Sequence, residues 1–537
     1  MKNLPFWQNR PTISIFLLCL VVYLITLQPS LAWGDGIRLQ REAITGESFI
    51  LAELTDVQFA HDPFPFAKLG VAAWDHPLWT MLGYGLVHAL PFVHNLWLVN
   101  SLSAVFGALA IACFFQLLRP HLSPLSCGLA SLALAFSHTF WWHSTTPEVY
   151  TLFLALLLGS FCCLQADFEN PQWRTLAGFG LLSGLGMSNH LLAAIALPPV
   201  AIWALWQAPR QWWHRPRTDW LWLILAGLLG FLPFVVQLLR MLRTFPLAEV
   251  LGPALGENFF RGSLALSLAK LLASLRMYAI FLIYQFAPWG VGLGVWGWWK
   301  ARQTQPQLWA LTSLLYAVYA AFGWVYQVSD QFAFFLASHV FWAMGLAMGI
   351  EAVWQKRPTR ATMLTLLALT LILPLSYPAM PHLLRATGGS DESFGIPAIG
   401  ANPAGNSLRD GLNYYLNPIK TADTNPYSFG TTTLQALPAN ALVLAEWYTD
   451  TDEYFALRYF QAVEGLRPDV QVEGYPRLDP FNFPSDRVSE QIRLAVAERP
   501  VYLASLNPSY YGTPSLTEAG FRFVPENGLW RVVAGSE

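Results

Sequence analysis

Residues 13–36 read ISIFLLCLVVYLITLQPSLAWGDG, and this stretch decides what kind of protein the chain is. The run from Ile13 to Ala32 carries no charged side chain and is long enough to cross a hydrocarbon layer about 30 Å thick. Directly after it come Trp33, Gly34, Asp35 and Gly36. A carboxylate beside an apolar span is costly unless it faces water or does chemistry. Asp35 is therefore a candidate functional residue, although Gly-Asp-Gly is also an ordinary turn signal. Lys2 and Arg10 ahead of the run, and the small-x-small pattern of Ser30-Leu31-Ala32, would also suit a signal peptide. The length of the run points to a retained first span.

The rest of the chain repeats the apolar signal. Of 537 residues, 54% are hydrophobic, only 12% are charged and 24 are Trp, a balance too apolar for a soluble domain. The net charge of -2 supplies no basic surface for nucleic acid. Cys19, Cys113, Cys127, Cys162 and Cys163 all lie in apolar segments, which argues against a disulfide framework or a Cys-rich metal site.

Eleven segments are apolar and long enough to be read as spans, near 13–32, 95–118, 124–141, 149–166, 174–189, 191–207, 219–239, 276–298, 307–326, 332–354 and 361–379. Alternating them from a cytoplasmic amino terminus puts Arg119, Arg174, Arg210, Arg215, Arg217, Lys300, Arg302, Lys356, Arg357 and Arg360 on the cytoplasmic side. The short turns of the other side, 142–148, near 190 and 327–331, hold no Lys or Arg, which is the positive-inside pattern. Charged residues among apolar ones from Arg240 to Arg276 suggest interfacial helices. After Pro381 the chain turns polar and rich in Gly and Pro, with Gly388-Gly389-Ser390-Asp391-Glu392 as an exposed loop. The expected division is a transmembrane domain over 1–380 and an extracytoplasmic α/β domain over 381–537. Strands are expected at 441–445, 470–472 and 501–504, and helices at 452–464 and 488–497.

On this topology every candidate polar residue shares one side of the membrane. Asp35 is the first choice for a general base, with Arg38 and Arg41 near enough in sequence to bind phosphate. Asp75, His76 and Pro77 read either as a helix start or as part of a site. Glu148 opens the fourth span, where a helix dipole favours an acid, and reads as a capping acid, an acceptor contact or a metal ligand. Asn189 and His190 sit at a membrane boundary, where histidine is uncommon. Asp330 reads as a helix N-cap or a substrate contact, and Phe332, Phe334 and Phe335 as packing or lipid contacts. The chain has no Walker-type phosphate loop, no Gly-x-Ser-x-Gly elbow and no His-Glu-x-x-His zinc helix.

Taken in order, Gly34-Asp35-Gly36, Asp75-His76-Pro77-Leu78-Trp79, Val99-Asn100-Ser101-Leu102-Ser103-Ala104, Phe140-Trp141-Trp142, Pro147-Glu148-Val149-Tyr150, Gly184-Leu185-Gly186-Met187-Ser188-Asn189-His190, Val328-Ser329-Asp330-Gln331 and the stretch from Tyr459 to Val470 resemble a known family. It is the GT-C superfamily of membrane glycosyltransferases, and within it the group, of domain-of-unknown-function type, that includes a transmembrane protein O-mannosyltransferase. The chain departs from the group's usual motifs at Asp35-Gly36-Ile37-Arg38, at His76-Pro77-Leu78-Trp79 and at Glu446-Trp447-Tyr448-Thr449-Asp450.

The resemblance implies about eleven to thirteen transmembrane helices with an extracytoplasmic α/β domain. It implies Asp35 as the catalytic residue of an inverting transfer, with a sugar such as mannose passing from polyprenyl phosphate to a hydroxyl of a protein or glycan. Arg38, Asp75, His76, Glu148, Asn189, His190 and Asp330 are the expected substrate contacts. Asp35 and Glu148 together could hold a divalent metal, but a lone carboxylate base also suffices. The implied location is an integral membrane protein, in the inner membrane if the cell is bacterial. A transporter or flippase of lipid-linked sugars would use similar helices without breaking a bond, but transporters place ionisable groups at the bilayer midplane. An inactive scaffold is the third reading.

Overall fold

The structure, a computed structural model, describes residues 10–46, 76–207, 212, 214–243, 246–247, 250–251, 267–328, 330–396, 408–446, 453–475 and 485–535. Its main helices are α1 (Arg10–Ile25), α2 (Asp35–Thr45), α3 (Pro77–Ala89), α4 (Asn95–Leu118), α5 (Pro124–Ala135), α6 (His138–Thr145), α7 (Tyr150–Glu169), α8 (Trp173–Asn189), α9 (Leu197–Gln207), α10 (Arg217–Met241), α11 (Leu268–Thr304), α12 (Pro306–Val325), α13 (Leu336–Lys356), α14 (Arg360–Ser376) and α15 (Asn425–Ala436). Then follow β1 (Leu442–Glu446), α16 (Glu453–Glu464), β2 (Gln471–Tyr475), α17 (Ser485–Glu498), β3 (Val501–Leu503), α18 (Thr513–Glu518), β4 (Phe521–Glu526) and β5 (Leu529–Ala534). The chain divides into two compact units, one of residues 1–27, 59–82 and 101–377, the other of 28–58, 83–100 and 378–537.

The first unit is a helical bundle around α13, whose residues from Leu336 to Glu351 are all buried. Helices α11, α12 and α5 pack on it. By contrast α10 exposes Leu221, Trp222, Ile224, Leu225, Leu228 and Leu229. So continuous an apolar face suits hydrocarbon rather than water. Where α8 meets α10, side chains give way to backbone. A Cβ on Gly184 would lie 2.1 Å from the carbonyl oxygen of Gly227, and one on Gly230 would lie 2.3 Å from that of Leu181. Small residues of this kind let membrane helices approach closely. A buried ion pair closes the end of this layer: Arg215 bonds Asp167 on α7, while Asp167 Oδ1 accepts the Thr175 hydroxyl at 2.7 Å.

Seven helices among the described residues are long and apolar enough to span a membrane: Asn95–Leu118, Tyr150–Glu169, Arg217–Met241, Leu268–Thr304, Pro306–Val325, Leu336–Lys356 and Arg360–Ala386. Other segments expected as spans are shorter or broken, and their punctuation explains it. Helix α1 stops at Ile25, shortly before Pro29, which has no N–H to continue the ladder. The 124–141 segment breaks into α5 and α6 at Phe136 and Ser137. The run after His190 opens as a 3-10 helix, Leu191–Ala196, before α9. Helix α11 kinks at Ala287, whose φ of 56° precedes Pro288. The expected interfacial helices between Arg240 and Arg276 fall largely outside the described residues.

The second unit holds a five-stranded sheet in the order β2-β1-β3-β5-β4. Strands β1 and β2 are parallel, as are β1 and β3, while β5 runs antiparallel to β3 and β4. The connection through α16 between β1 and β2 is what parallel pairing demands. Leu442, Leu444, Ile492, Val501, Leu503, Tyr511, Leu516 and Val532 form a core between the sheet and α17 and α18. Helix α16 packs on β1 and β2, and α15 and α2 pack on α16. The three strands expected from sequence are present with ends shifted by a residue or more, and the β4-β5 hairpin joins them.

Candidate functional site

Two clusters carry the candidate residues, one in each unit. In the second unit the entry to α2 is made by Gly34, whose φ of 68° and ψ of -149° are open to glycine alone. Trp33 is buried just before it and lies 6.0 Å, ring to ring, from Phe429 on α15. The chain therefore arrives at Asp35 from a packed anchor and starts the helix there. Gly36, Ile37, Leu39, Gln40, Arg41, Glu42 and Ala43 turn inward. The Asp35 side chain is 66% exposed, at the N-terminus of the helix. Arg38 Nη2 stands 3.9 Å from Asp35 Oδ1. An anion held by Arg38 would thus lie beside a carboxylate open to solvent. Arg41 is buried behind them.

The second cluster, in the first unit, is a stack of rings. His76 holds φ 43°, a conformation that L residues rarely adopt, and Pro77 starts α3 immediately after it. Its Nδ1 donates to the carbonyl of Asn189 at 2.8 Å, and its ring stacks on His190 with centroids 5.1 Å apart. His190 Nδ1 accepts the Leu192 N–H at 3.2 Å, capping the 3-10 helix, so the neutral ring carries its proton on Nε2. Burial, and next the ring of His76, push His190 well below the usual imidazole range. It is a neutral hydrogen-bonding group at physiological pH and not a cation for phosphate.

Tyr150 stands 5.5 Å from His190 and 4.8 Å from His143, and His143 stacks on Phe332 at 5.7 Å. Phe334 is edge-on to Tyr150 at 5.9 Å. Asn189 Nδ2 donates to the Val149 carbonyl at 2.9 Å, tying the His190 turn to the start of α7. Glu148 is half-buried beside this turn. Its N–H donates to Ser103 Oγ at 3.0 Å, and that hydroxyl donates to the Glu148 carbonyl at 3.1 Å. Asp330 precedes the single helical turn Gln331–Phe334 but makes no side-chain cap there.

His76, Asn189 and His190 are thus brought together, and Asp35 with Arg38. Asp75 lies outside the described residues. His143, Tyr150, Phe332 and Phe334 were not expected as site residues, and Phe332 and Phe334 line the histidine stack rather than facing lipid alone. A Trp-Trp-His sequence two turns before Glu148 was the available signal. The Tyr459–Val470 stretch is architectural: Arg467 donates to the carbonyls of Leu434 at 2.9 Å, Leu437 at 2.6 Å and Pro438 at 3.1 Å, tying down the end of α15. Among the described residues no group of three or more His, Cys, Asp or Glu side chains is arranged to hold a metal ion.

Comparison with known proteins bears on the same elements. Residues 75–236 match the family described as Dolichyl-phosphate-mannose-protein mannosyltransferase. The chain is 23% identical over 518 residues to Protein O-mannosyl-transferase tmem260 of Dictyostelium discoideum, covering 86% of this chain and 56% of that protein. It is 23% identical over 494 residues to Protein O-mannosyl-transferase TMEM260 of Mus musculus, covering 87% of this chain and 63% of that one. The chain thus spans about 56–63% of the length of these two relatives. The crystal structure of ArnT from Cupriavidus metallidurans, bound to undecaprenyl phosphate, superposes with a TM-score of 0.52 at 14% identity over 98% of both chains, a likeness of fold. In sequence and in fold alike, the chain is similar to membrane glycosyltransferases of the GT-C type.

Proposed function

We propose that the protein is an inverting glycosyltransferase that moves a sugar, mannose on the strength of its relatives' names, from a polyprenyl-phosphate donor to a hydroxyl of a protein or glycan. Asp35 takes the proton of the acceptor hydroxyl. The acceptor oxygen bonds to the anomeric carbon from the face opposite the donor phosphate, the carbon–oxygen bond to phosphate breaks, and polyprenyl phosphate leaves with the electron pair. Positioning and charge stabilisation supply the rate, without a covalent enzyme intermediate. Arg38 is the cation for the leaving phosphate. His76 and His190, with Asn189, Glu148, Asp330 and Asp75, hydrogen-bond sugar or acceptor hydroxyls. The proposed division is a catalytic transmembrane domain over 1–380 and a domain over 381–537 on the extracytoplasmic side, in the inner membrane if the cell is bacterial.

The observation that carries this reading is the exposed Asp35 carboxylate on an otherwise buried helix, with a guanidinium beside it. The experiment is transfer by purified protein from radiolabelled polyprenyl-phosphate sugars, mannose first, to hydroxyl-bearing peptides and glycans. Labelled acceptor supports the reading, and absence of product with every donor contradicts it. Reporter fusions at 122, 169, 214 and 304 are expected to report the cytoplasm, and fusions after 380 the opposite side.

A further inference from the structure

Between α1 and α2 the chain runs through residues 26–34 without regular structure, yet Leu27, Gln28, Leu31, Ala32 and Trp33 are buried. Buried backbone outside a helix or sheet needs other hydrogen-bond partners. Here two side-chain amides, both fully buried, supply them. Gln40 Oε1 accepts the Ala32 N–H at 3.0 Å, and Gln40 Nε2 donates to the Ser30 carbonyl at 3.1 Å and to Asn100 Oδ1 at 2.7 Å. Asn100 Nδ2 donates to the carbonyls of Gln28 at 2.9 Å and Ser30 at 3.0 Å. The backbone groups dictate the orientation of both amides, since an N–H can only donate and a carbonyl only accept. On the carboxyl-terminal side the same segment meets Asp423, which accepts from Gln28 Nε2 at 3.5 Å and whose carbonyl accepts the Ser30 hydroxyl at 3.4 Å. All of these groups belong to one unit.

We infer that Gln40 and Asn100 are positioning residues for Asp35. They clamp the backbone of residues 28–32, and the clamp is passed through the buried Trp33 and the glycine-only bend at Gly34 to the first residue of α2. Neither amide has accessible surface for substrate, and Gln40 lies on the inward face of the helix that presents Asp35 outward. The inference rests on the proposed base role of Asp35. It makes Gln40 and Asn100 specific to turnover: without the clamp the carboxylate stays present but loses its fixed place, and misplacement of about 1 Å is enough to cost rate steeply.

The test uses the full chain in detergent or nanodiscs, with polyprenyl-phosphate mannose as donor. Gln40→Met keeps side-chain length and removes the amide. It is expected to lower kcat at least about tenfold with KM for the donor within about twofold. Hydrogen exchange at residues 28–36 is expected to accelerate at least about tenfold while the rest of the chain and the melting temperature stay near wild type. Asn100→Ser, which removes the clamp from α4, is expected to do the same and stands in should Gln40→Met fail to accumulate. Wild-type kcat in the variants, or a fall in melting temperature and yield with kcat per folded molecule unchanged, overturns the inference. Asp35→Asn separates the two ideas. If it is inactive while Gln40→Met turns over normally, only the positioning role falls; if it is fully active, the base role falls first.

Discussion

His76 lies ring over ring with His190, centroids 5.1 Å apart and planes within 25°, and bonds the carbonyl of the residue immediately before its partner. The contact joins the start of α3 to the end of α8, so two stretches far apart in sequence share one surface. A stacked aromatic pair contributes roughly 0.5–1.5 kcal/mol beyond area burial. His76→Gly, which suits φ 43° better than histidine does, is expected to leave the fold intact and raise KM for the sugar donor by about two- to tenfold. Initial-rate measurements against donor concentration check this.

Acid sensitivity should follow from the same pair. His190 is held below its unfolded value, which is about 6.5. Below that pH the unfolded chain binds a proton that the folded chain refuses, so stability present near neutrality is lost as pH falls through about 6. His190→Gln is expected to flatten the fall in melting temperature between about pH 6.5 and 5. A steep fall retained in the variant would point to another group.

Lys420 tests electrostatics in the second unit. It is buried with Nζ over the Tyr414 ring at 4.4 Å, and burial, opposed by Asp423, pushes its amino group down to about 7. The unfolded lysine holds its proton to about 10.4, so the unfolded state binds more protons between these values and stability rises with pH above neutrality. Lys420→Met is expected to remove that rise in thermal unfolding between about pH 7 and 9.

The contact between α8 and α10 is sterically exacting. A methyl group at Gly184 would meet the Gly227 carbonyl oxygen at 2.1 Å, and neither partner is a flexible side chain. Gly184→Ala is expected to cost at least about 1–3 kcal/mol, and Gly184→Leu to prevent accumulation of folded protein. Gly128→Ala, where nothing lies within 4 Å, is the control. Detergent melting curves distinguish them.

The membrane class and the carboxyl-terminal α/β unit were legible because they rest on local signals: apolar runs, the Lys and Arg bias, and alternating short strands and helices. Helix breaks were less so, since Phe136-Ser137 and His190-Leu191 interrupt apolar runs without Gly or Pro. Asp35 was legible as a carboxylate at the end of a span. Its exposure was not, because that depends on Trp33 and Gly34 turning the chain and on α16 covering the other face of α2. The His143-Tyr150-Phe332 stack was hidden for the same reason: each ring is ordinary in its own segment, and only tertiary packing brings the three together. The Tyr459–Val470 stretch shows the reverse case, a distinctive motif whose arginine secures a helix end.

The central claim is that the Asp35 carboxylate is the general base of glycosyl transfer. Its most direct test is single-turnover transfer from radiolabelled polyprenyl-phosphate mannose to a hydroxyl acceptor, comparing wild type with Asp35→Asn. The account predicts a loss of about 10²–10⁴-fold in rate with donor binding retained. Transfer by Asp35→Asn within about threefold of wild type would contradict it.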